Sequence, residues 1–410
     1  MPSRVRGKLL AALFASVGVT RTGFLAAATV TALVAQKTLG SATWAGLPGA
    51  VAVIGMALGT APLSWFMARH GRRRGMVIGQ LIAGAGALAA AVATDVAVFP
   101  LLVLALFVMG FGNAADRLAR YAAADVSAAE RRSSAIALIV WAGTIGSVAG
   151  PALLEPSRGI AESLGFVGLA GPYVLAAGMY AAAGLVVFVF LRPDPLDLAP
   201  DERVERGEQP LPVRELLRPA LVRVALAALL TSQFVMVLIM TMTPIHIRAA
   251  GESLAAVGLV ISAHTLGMFA LSPVTGFLSD RFGRFPVIVA GLAMLAASGI
   301  IASTTGGADR FALVVALFLL GLGWNFGYVA GSALVVEAVD PHRRLQIQGV
   351  ADSMVWISGA AAGLASGFLL AGGGYRLVSL VGSALVAVPV AVIVRERRRS
   401  RSVSVPRRRT

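Results

Sequence analysis

The stretch Gly276-Phe-Leu-Ser-Asp280-Arg281-Phe-Gly283-Arg284 decides how the rest of the sequence is interpreted. A related stretch, Ser64-Trp-Phe-Met-Ala68-Arg69-His-Gly71-Arg72-Arg73, lies 212 residues earlier. A gapless series of matches that includes rare polar residues indicates that the two halves arose by tandem duplication. At the same offset, further polar residues coincide without a gap: Thr20-Arg21 with Ser232-Gln233, Asn113 with Asn325, Asp125 with Glu337, and Arg131-Arg132 with Arg343-Arg344.

The composition is typical of a membrane protein. Of the 410 residues, 57% are apolar and 13% charged, and the mean hydropathy is +0.82, so a water-soluble fold would lack polar surface. Apolar segments of about 20 residues can cross the ~30 Å hydrocarbon core, and six in each half predict an all-α integral membrane protein. The twelve predicted spans are Leu9 to Gln36, Trp44 to Ala68, Gly75 to Thr94, Val96 to Tyr121, Ser133 to Leu154, Pro172 to Leu191, Ala220 to Ile245, Leu254 to Ser279, Phe285 to Thr304, Phe311 to Val336, Ile347 to Ala371 and Tyr375 to Val394.

Basic residues predict the orientation, because Lys and Arg resist translocation. With the N-terminus inside, 29 of the 35 Lys and Arg residues lie in cytoplasmic segments and five in outer loops. Both termini are therefore predicted to be cytoplasmic, and topology rather than nucleic-acid binding explains the net charge of +15. The predicted divisions are an N-terminal six-helix bundle over 1–191, a cytoplasmic linker over 192–219, a C-terminal six-helix bundle over 220–394, and a basic cytoplasmic tail over 395–410 that lies on anionic lipid.

The sequence lacks the residue patterns of several other functions. It has no cysteine, which excludes disulfides, thiolate metal sites and iron–sulfur clusters. It has no Gly-x-x-x-x-Gly-Lys-Ser/Thr loop to hold ATP and no Gly-x-Ser-x-Gly elbow, and no two of its four histidines stand at metal-ligand spacing. We therefore expect no metal, no cofactor and no enzymatic activity; a membrane-embedded protease or acyltransferase is the rival class.

The repeated loops carry a resemblance, over the whole chain, to the major facilitator superfamily of transporters. The loop Gly276 to Arg284 matches the signature of that family at every defining position, whereas the first-half loop has Ala68 where the family has Asp. The resemblance implies two six-helix bundles that rock about a solute site near the midplane, lined by spans one, four, seven and ten. It also implies a cytoplasmic gate at the two loops, with Asp352 as a candidate for the missing carboxylate. The candidate gate residues are Arg69, Gly71, Arg72, Asp125, Gly276, Asp280, Arg281, Gly283, Arg284, Glu337 and Asp352.

The charges of the two loops give the gate a physical basis. Asp280, at a helix end, suits the positive N-terminus of a neighbouring span. Arg284 can pair with Glu337, and the repeat predicts the equivalent pair of Arg72 with Asp125. These contacts would close the cytoplasmic side and break when the halves rock. The alternative is a solvated turn whose basic residues only fix the topology.

Charged residues within the spans are the first candidates for solute binding or coupling. Arg21 lies about 12 residues, or roughly 18 Å, into the first span, where a charge costs about 2.5–3.5 kcal/mol even on the most lenient scale. It is predicted to bind solute or take part in coupling, or else to form a structural pair with Asp116. Asp116 is the candidate proton carrier, or else it neutralises Arg120 four residues along the same face. Asn113 and Arg117 complete this cluster.

The second half supplies further candidates. His264, deep in span eight, suits a proton relay near neutral pH, or else it packs as a hydrogen-bonded residue. Flexible thioethers and aromatic rings suit lipophilic solutes, although both are ordinary packing residues as well. The candidates of this kind are Gln233, Met236 and Met240 on span seven, and Trp324, Asn325 and Tyr328 on span ten.

Span five bears on the direction of transport. Gly146-Ser-Val-Ala-Gly150-Pro151 resembles the core of a motif that marks exporters within the superfamily, although small residues four apart also serve close helix packing. The function expected from the resemblance is proton-coupled efflux of a drug-like compound or metabolite by a monomer in the bacterial inner membrane. The alternative is uptake or exchange of an organic anion, because Arg21, Arg117 and Arg120 outnumber Asp116.

Overall fold

The computed structural model describes residues 3–39, 47–198, 211–252 and 254–403. Helices and the turns that join them account for these residues, and no strand occurs among them. Three predicted features extend outside the described residues: the start of the second span at Trp44, the middle of the linker and the end of the basic tail.

Fifteen α-helices occur in the described part of the chain. They are α1 (Ser3–Leu39), α2 (Leu47–His70), α3 (Arg72–Asp95), α4 (Phe99–Asp125), α5 (Arg132–Ala152), α6 (Leu154–Ser163), α7 (Gly171–Phe190), α8 (Val213–Leu216), α9 (Ala220–Ala249), α10 (Leu254–Phe269), α11 (Ser272–Phe282), α12 (Arg284–Thr304), α13 (Arg310–Glu337), α14 (Arg344–Leu385) and α15 (Ala387–Val403).

Eleven segments of the described chain are long and apolar enough to cross a membrane, against the twelve predicted. The last of them, Pro341–Glu396, has 56 residues, which as one helix would measure about 84 Å, far more than the ~30 Å core. The backbone leaves the helical conformation at Gly373 and at Gly374, where φ is 68°. This break separates the predicted eleventh and twelfth spans, so the prediction of an all-helical, multi-span membrane protein is confirmed.

The composition of the spans explains why they are helical. In a hydrocarbon environment every backbone N–H and C=O must find a partner within the protein, and a helix satisfies both within one segment. Large apolar side chains such as Phe311, Leu364 and Phe368 remain exposed, the last at 81%, as expected for surfaces that face lipid. Pro62 and Pro244 lie inside α2 and α9, which neighbouring helices in membranes can accommodate.

The chain divides into two compact units, of which unit 1 comprises Met1–Pro210, Ser272–Asp280 and Asp340–Ala360. Within it, α1 packs against α5 and α7, and α4 packs against α2 and α3. Its core is built largely of alanine, which lets helices approach closely, and it also buries Tyr173 and Tyr180.

Unit 2 comprises Leu211–Leu271, Arg281–Val339 and Ala361–Thr410. Helix α13 is its most buried element and packs against α9, α10 and α12. The segments Ser272–Asp280 and Asp340–Ala360, from the second half of the sequence, thus belong to unit 1, and the division into two six-helix bundles stays a prediction.

Candidate functional site

A buried ion pair joins α1 to α4 in unit 1. Arg21 Nε donates to Asp116 Oδ2 at 2.9 Å, and the two side chains are 15% and 0% exposed. Asp116 Oδ1 has no hydrogen-bond partner among the described residues. The ion pair of Arg21 with Asp116, which the sequence analysis gave as the structural alternative, is therefore present. It leaves Asp116 Oδ1 available for a proton or a ligand.

Polar side chains on four helices, α1, α3, α4 and α7, lie around this pair. One turn before Asp116, Asn113 is buried; its Oδ1 accepts from the Tyr180 hydroxyl at 3.3 Å, and its Nδ2 lacks a partner among the described residues. Next to Arg21, Thr20 is bonded to the Gln80 amide, whose Nε2 donates to the threonine hydroxyl at 3.0 Å. Unit 1 thus contains a polar cluster inside an apolar helix bundle, with one donor and one acceptor unused.

The other two arginines of this cluster have partners from residues 340–360. The Arg117 guanidinium lies 4.7 Å from the Trp356 ring and 5.9 Å from the Phe24 ring, both cation–π contacts. Arg120 forms a buried ion pair with Asp352, in which Nη1 donates to Oδ2 at 3.0 Å. The carboxylate bonded to Arg120 is therefore that of Asp352, whereas Asp116 accepts from Arg21.

A neutral cluster occupies the repeat-related positions in unit 2. Gln233, the counterpart of Arg21, accepts from Trp324 Nε1 at 2.8 Å. The Trp324 ring stacks on Tyr328 with centroids 4.6 Å apart and meets Phe269 edge-on at 6.1 Å. Met236, on the same helix as Gln233, is buried, and Met240 is half-buried. This cluster offers aromatic faces and thioethers where unit 1 offers charges.

Two other candidates in unit 2 make hydrogen bonds that tie helices together. Asn325 Nδ2 donates to the Met268 carbonyl at 2.7 Å. His264 Nδ1 lies 3.0 Å from the Leu317 carbonyl, and its Nε2 has no partner among the described residues. Both side chains are buried. These contacts agree with the packing interpretation of His264, and the proton-relay hypothesis stays a prediction.

The second signature loop places Asp280 at the N-terminus of α5. Its two carboxylate oxygens accept from the backbone N–H groups of Ser133, at 3.0 Å, and Ser134, at 2.8 Å. Gly276 lies close to the same helix, because a Cβ there would stand 2.6 Å from the Ala137 methyl. The predicted contact of this carboxylate with a helix N-terminus is thus present within unit 1.

The first signature loop is held by different groups. Arg72 pairs with Asp125 at 2.7 Å, with both side chains fully buried, and its Nη2 also donates to Gln348 Oε1 at 2.7 Å. Asp194, from the segment after α7, accepts from the backbone N–H groups of Arg72 and Arg73 at 3.0 and 2.9 Å. Although position 68 is Ala, Asp194 therefore supplies a carboxylate to this loop.

Among the remaining gate candidates, the four charged residues Arg69, Arg281, Arg284 and Glu337 are more exposed, whereas Asp352 is buried. In unit 2, Arg284 pairs with Glu337 at 2.6 Å, as the repeat predicts. The Arg69 guanidinium lies 3.9 Å from the Trp65 ring centroid, and that of Arg281 lies 5.7 Å from Phe282. Asp352, considered as a substitute for the carboxylate absent at position 68, pairs instead with Arg120, about two turns into α14.

The small residues of α5 lie against α1. A Cβ on Gly146 would stand 2.5 Å from Arg21 Cβ, and one on Gly150 would stand 3.0 Å from Leu25 Cβ. Both glycines therefore serve close packing, which positions Arg21. Pro151 follows within the same helix. The hypothesis that this motif marks an exporter remains a prediction.

Several residues of these clusters were not among the sequence candidates. They are Asp194, Gln348, Tyr180 and Trp356, which contact Arg72, Asn113 or Arg117 across 67 to 276 residues of sequence. Only Asp194 had a sequence signal, since an Asx N-cap followed by Pro in Arg192-Pro-Asp-Pro195 indicates a tight turn. The others are polar or aromatic residues in spans, with no partner near them in sequence.

Comparisons with known proteins agree with this architecture. A family model described as Major Facilitator Superfamily matches residues 10–256 and 248–410. The uncharacterized MFS-type transporter YdeG of Bacillus subtilis is 39% identical over 92% of this chain and 89% of its own. The riboflavin transporter RfnT of Brucella anthropi is 30% identical over 88% of this chain and 89% of its own.

Solved structures of low sequence identity share the fold. The crystal structure of the human organic anion transporter MFSD10 matches with a TM-score of 0.75 and 15% identity, covering 96% of this chain and 100% of that one. Because the family model covers nearly the whole sequence and two bacterial relatives match at 30% identity or more, this multi-pass membrane protein belongs to the major facilitator superfamily of transporters.

Proposed function

We propose that this protein is a proton-coupled transporter of the bacterial plasma membrane that exports a small organic solute by alternating access, and that Asp116 carries the proton. The observation that supports the proposal most directly is the Arg21–Asp116 pair, buried within the span helices, with Asp116 Oδ1 unpartnered among the described residues. A buried pair of this kind in a membrane protein is rarely retained without a role.

The pair provides a simple coupling step. While Asp116 is ionised, its charge is compensated by Arg21, and separating the two would leave an uncompensated buried charge. A proton added at the free oxygen Oδ1 removes that charge and leaves Arg21 uncompensated. Arg21 would then favour a new partner, and its backbone lies directly against Gly146 of α5. Protonation would therefore change both the ligand affinity and the packing of α1 on α5.

The solute is proposed to be a flat aromatic molecule. Trp324 and Tyr328 present stacked rings beside Gln233, and Trp356 and Phe24 lie near Arg117. Aromatic rings bind planar solutes by stacking. The 30% identical relative named a riboflavin transporter supports the same class of solute, so riboflavin is the first compound to test.

Export rests on the resemblance of Gly146 to Pro151 to the exporter motif, and uptake or exchange of an organic anion is the second candidate. The observation that favours the second is the excess of arginine around Asp116, with Arg21 bound to it and Arg117 held between aromatic rings. We infer transport rather than catalysis as the activity, since the relatives are transporters.

The test uses purified protein in liposomes preloaded with riboflavin, to which a pH gradient is applied. The native protein should release riboflavin several times faster with the gradient than without it. Asp116→Asn should lose this acceleration but keep exchange of riboflavin across the membrane, because the step that it removes is protonation. Asp95→Asn is the matched control, since Asp95 is exposed and an Asn oxygen can still accept from Val167 N. A gradient response unchanged in Asp116→Asn would contradict the proposal.

Cells without their own pumps distinguish the two candidates. If the solute is an uncharged aromatic compound such as riboflavin, Arg21→Gln should still carry it across the membrane but lose the response to the pH gradient, because Asp116 no longer has the partner that its protonation releases. If the solute is an organic anion, Arg21→Gln should abolish its flux, because the substitution removes the positive charge that would compensate the anion.

A further inference from the structure

Four arginines of unit 1 converge on one cavity outside the polar cluster. The cavity has a volume of about 410 Å³ and lies where the loop between α2 and α3 meets the end of α7. By the orientation that the basic residues predict, this is the cytoplasmic end. The lining residues are Arg69, His70, Gly71, Arg73, Arg74, Arg192, Pro193, Asp194 and Asp197.

The acidic residues of the cavity do not balance its arginines. Four arginines line it against two aspartates, a difference of two positive charges with His70 neutral. Asp194 is already engaged: its carboxylate accepts from the backbone N–H groups at the start of α3 and from Leu196 N at 2.9 Å. The cavity therefore keeps an excess of positive charge that suits an anion.

Two of the arginines are held in place by the end of α7. Arg73 donates from Nε and Nη2 to the Phe188 carbonyl at 3.0 and 2.7 Å, and Arg192 Nε donates to the same oxygen at 3.3 Å. Both guanidinium groups also lie over the Phe188 ring, at 4.7 and 5.4 Å. Fixed guanidinium groups lose less entropy when they bind a phosphate than free side chains do.

Exposed aromatic rings border the arginines. Trp65 carries Arg69 on its face and is 40% exposed, and Phe188 is 51% exposed. Both belong to membrane-spanning segments, α2 and α7, near the ends where aromatic residues meet the lipid interface. A soluble anion would use only the arginines, whereas a lipid would use the aromatic surfaces as well.

We propose that this cavity binds the phosphodiester headgroup of an anionic phospholipid, with the acyl chains lying along Trp65 and Phe188. Basic pockets between spans at the cytoplasmic side suit such headgroups. The second signature loop lacks the site, because Phe285 and Pro286 stand 212 residues after Arg73 and Arg74. The site would therefore belong to one half of the duplicated chain.

The test titrates the full-length protein, purified in detergent, with short-chain phosphatidylglycerol and counts bound lipid by native mass spectrometry. Short-chain phosphatidylcholine and inorganic phosphate are the comparison ligands. Each lost arginine should weaken phosphatidylglycerol binding about fivefold, so Arg73→Gln/Arg74→Gln should weaken it about 25-fold. Arg74→Gln alone should weaken phosphatidylglycerol binding about fivefold. Because the Arg74 side chain is exposed, this single variant should fold normally and tests the site even if the double variant misfolds.

Arg376→Gln, an exposed arginine of unit 2, is the matched control and should bind phosphatidylglycerol as the native protein does. Equal binding of phosphatidylglycerol by Arg74→Gln and the native protein would overturn the site. Binding of phosphatidylcholine as tight as that of phosphatidylglycerol would remove the role of charge, and equal competition by inorganic phosphate would remove the lipid as the ligand.

Discussion

The two signature loops share a backbone but differ in how they bury their charges. Gly71 and Gly283 both have positive φ, 99° and 90°, and each immediately precedes a helix. In the first loop Arg72 and Asp125 are fully buried, whereas in the second Arg284 and Glu337 are 10% and 28% exposed. The same sequence pattern therefore produces a buried ion pair in one half and a partly solvated pair in the other.

The loops also differ in how a carboxylate meets a helix N-terminus. Asp280 belongs to the second loop and binds the start of α5, whereas Asp194 comes from outside the first loop and binds the start of α3. Duplicated loops thus keep the same kind of interaction while drawing the charge from different places in the chain. The comparison predicts that equivalent substitutions will have unequal effects.

The largest difference is expected between Arg72→Gln and Arg284→Gln. Removing Arg72 leaves Asp125 buried without its partner, which should cost about 3–5 kcal/mol of stability. Removing Arg284 leaves Glu337 accessible to water, which should cost about 1 kcal/mol or less. The unfolding midpoint of each variant in the same detergent measures the difference. Equal midpoints for the two variants would mean that burial does not distinguish the loops.

A smaller effect is expected for Asp280→Asn. The substitution keeps the shape, but Asn has one acceptor oxygen where Asp280 has two, so one of the charge-assisted hydrogen bonds from Ser133 and Ser134, each worth about 1.5–3 kcal/mol, is lost and the other is weakened. If the contact holds a gate, solute flux should fall roughly tenfold while expression stays normal. Asp309→Asn is the control, because Asn caps α13 as well as Asp does. Native flux in Asp280→Asn would reject the gate.

The smallest effect is expected when the glycine of each loop, Gly71 or Gly283, is replaced by alanine. An alanine at positive φ is strained by about 1–2 kcal/mol in either loop. In Gly71→Ala the new methyl would also stand 2.4 Å from Asp194 Oδ2, whereas Gly283→Ala meets nothing closer than 4.0 Å. Thermal unfolding should therefore rank Gly71→Ala below Gly283→Ala. The reverse order would show that Asp194 moves aside at no cost.

Many of these contacts could be predicted from the sequence, because the internal repeat aligns each position of the first half with one in the second half. Hydropathy and the 212-residue offset predicted the spans and the pairs of Arg72 with Asp125 and Arg284 with Glu337. The partners of Arg120 and Arg117 could not be predicted in this way, since Asp352 and Trp356 lie more than 230 residues away and break the repeat. A repeat predicts contacts within each half that both halves share, and no others.

The sequence by itself determined that the protein lies in a membrane, that its spans are helical and that its halves arose by duplication. Hydropathy, span length and the spacing of rare polar residues are properties of the chain alone. Only the tertiary structure decided which charges meet. Whether Arg21 faces Asp116, or Asp194 reaches the start of α3, depends on how helices far apart in sequence pack. Burial then sets the strength of each pair, since the cost of removing a charge from water is a property of its surroundings. The two signature loops are the clearest case. Their residues could be identified from the sequence, but the difference in burial of their ion pairs could not.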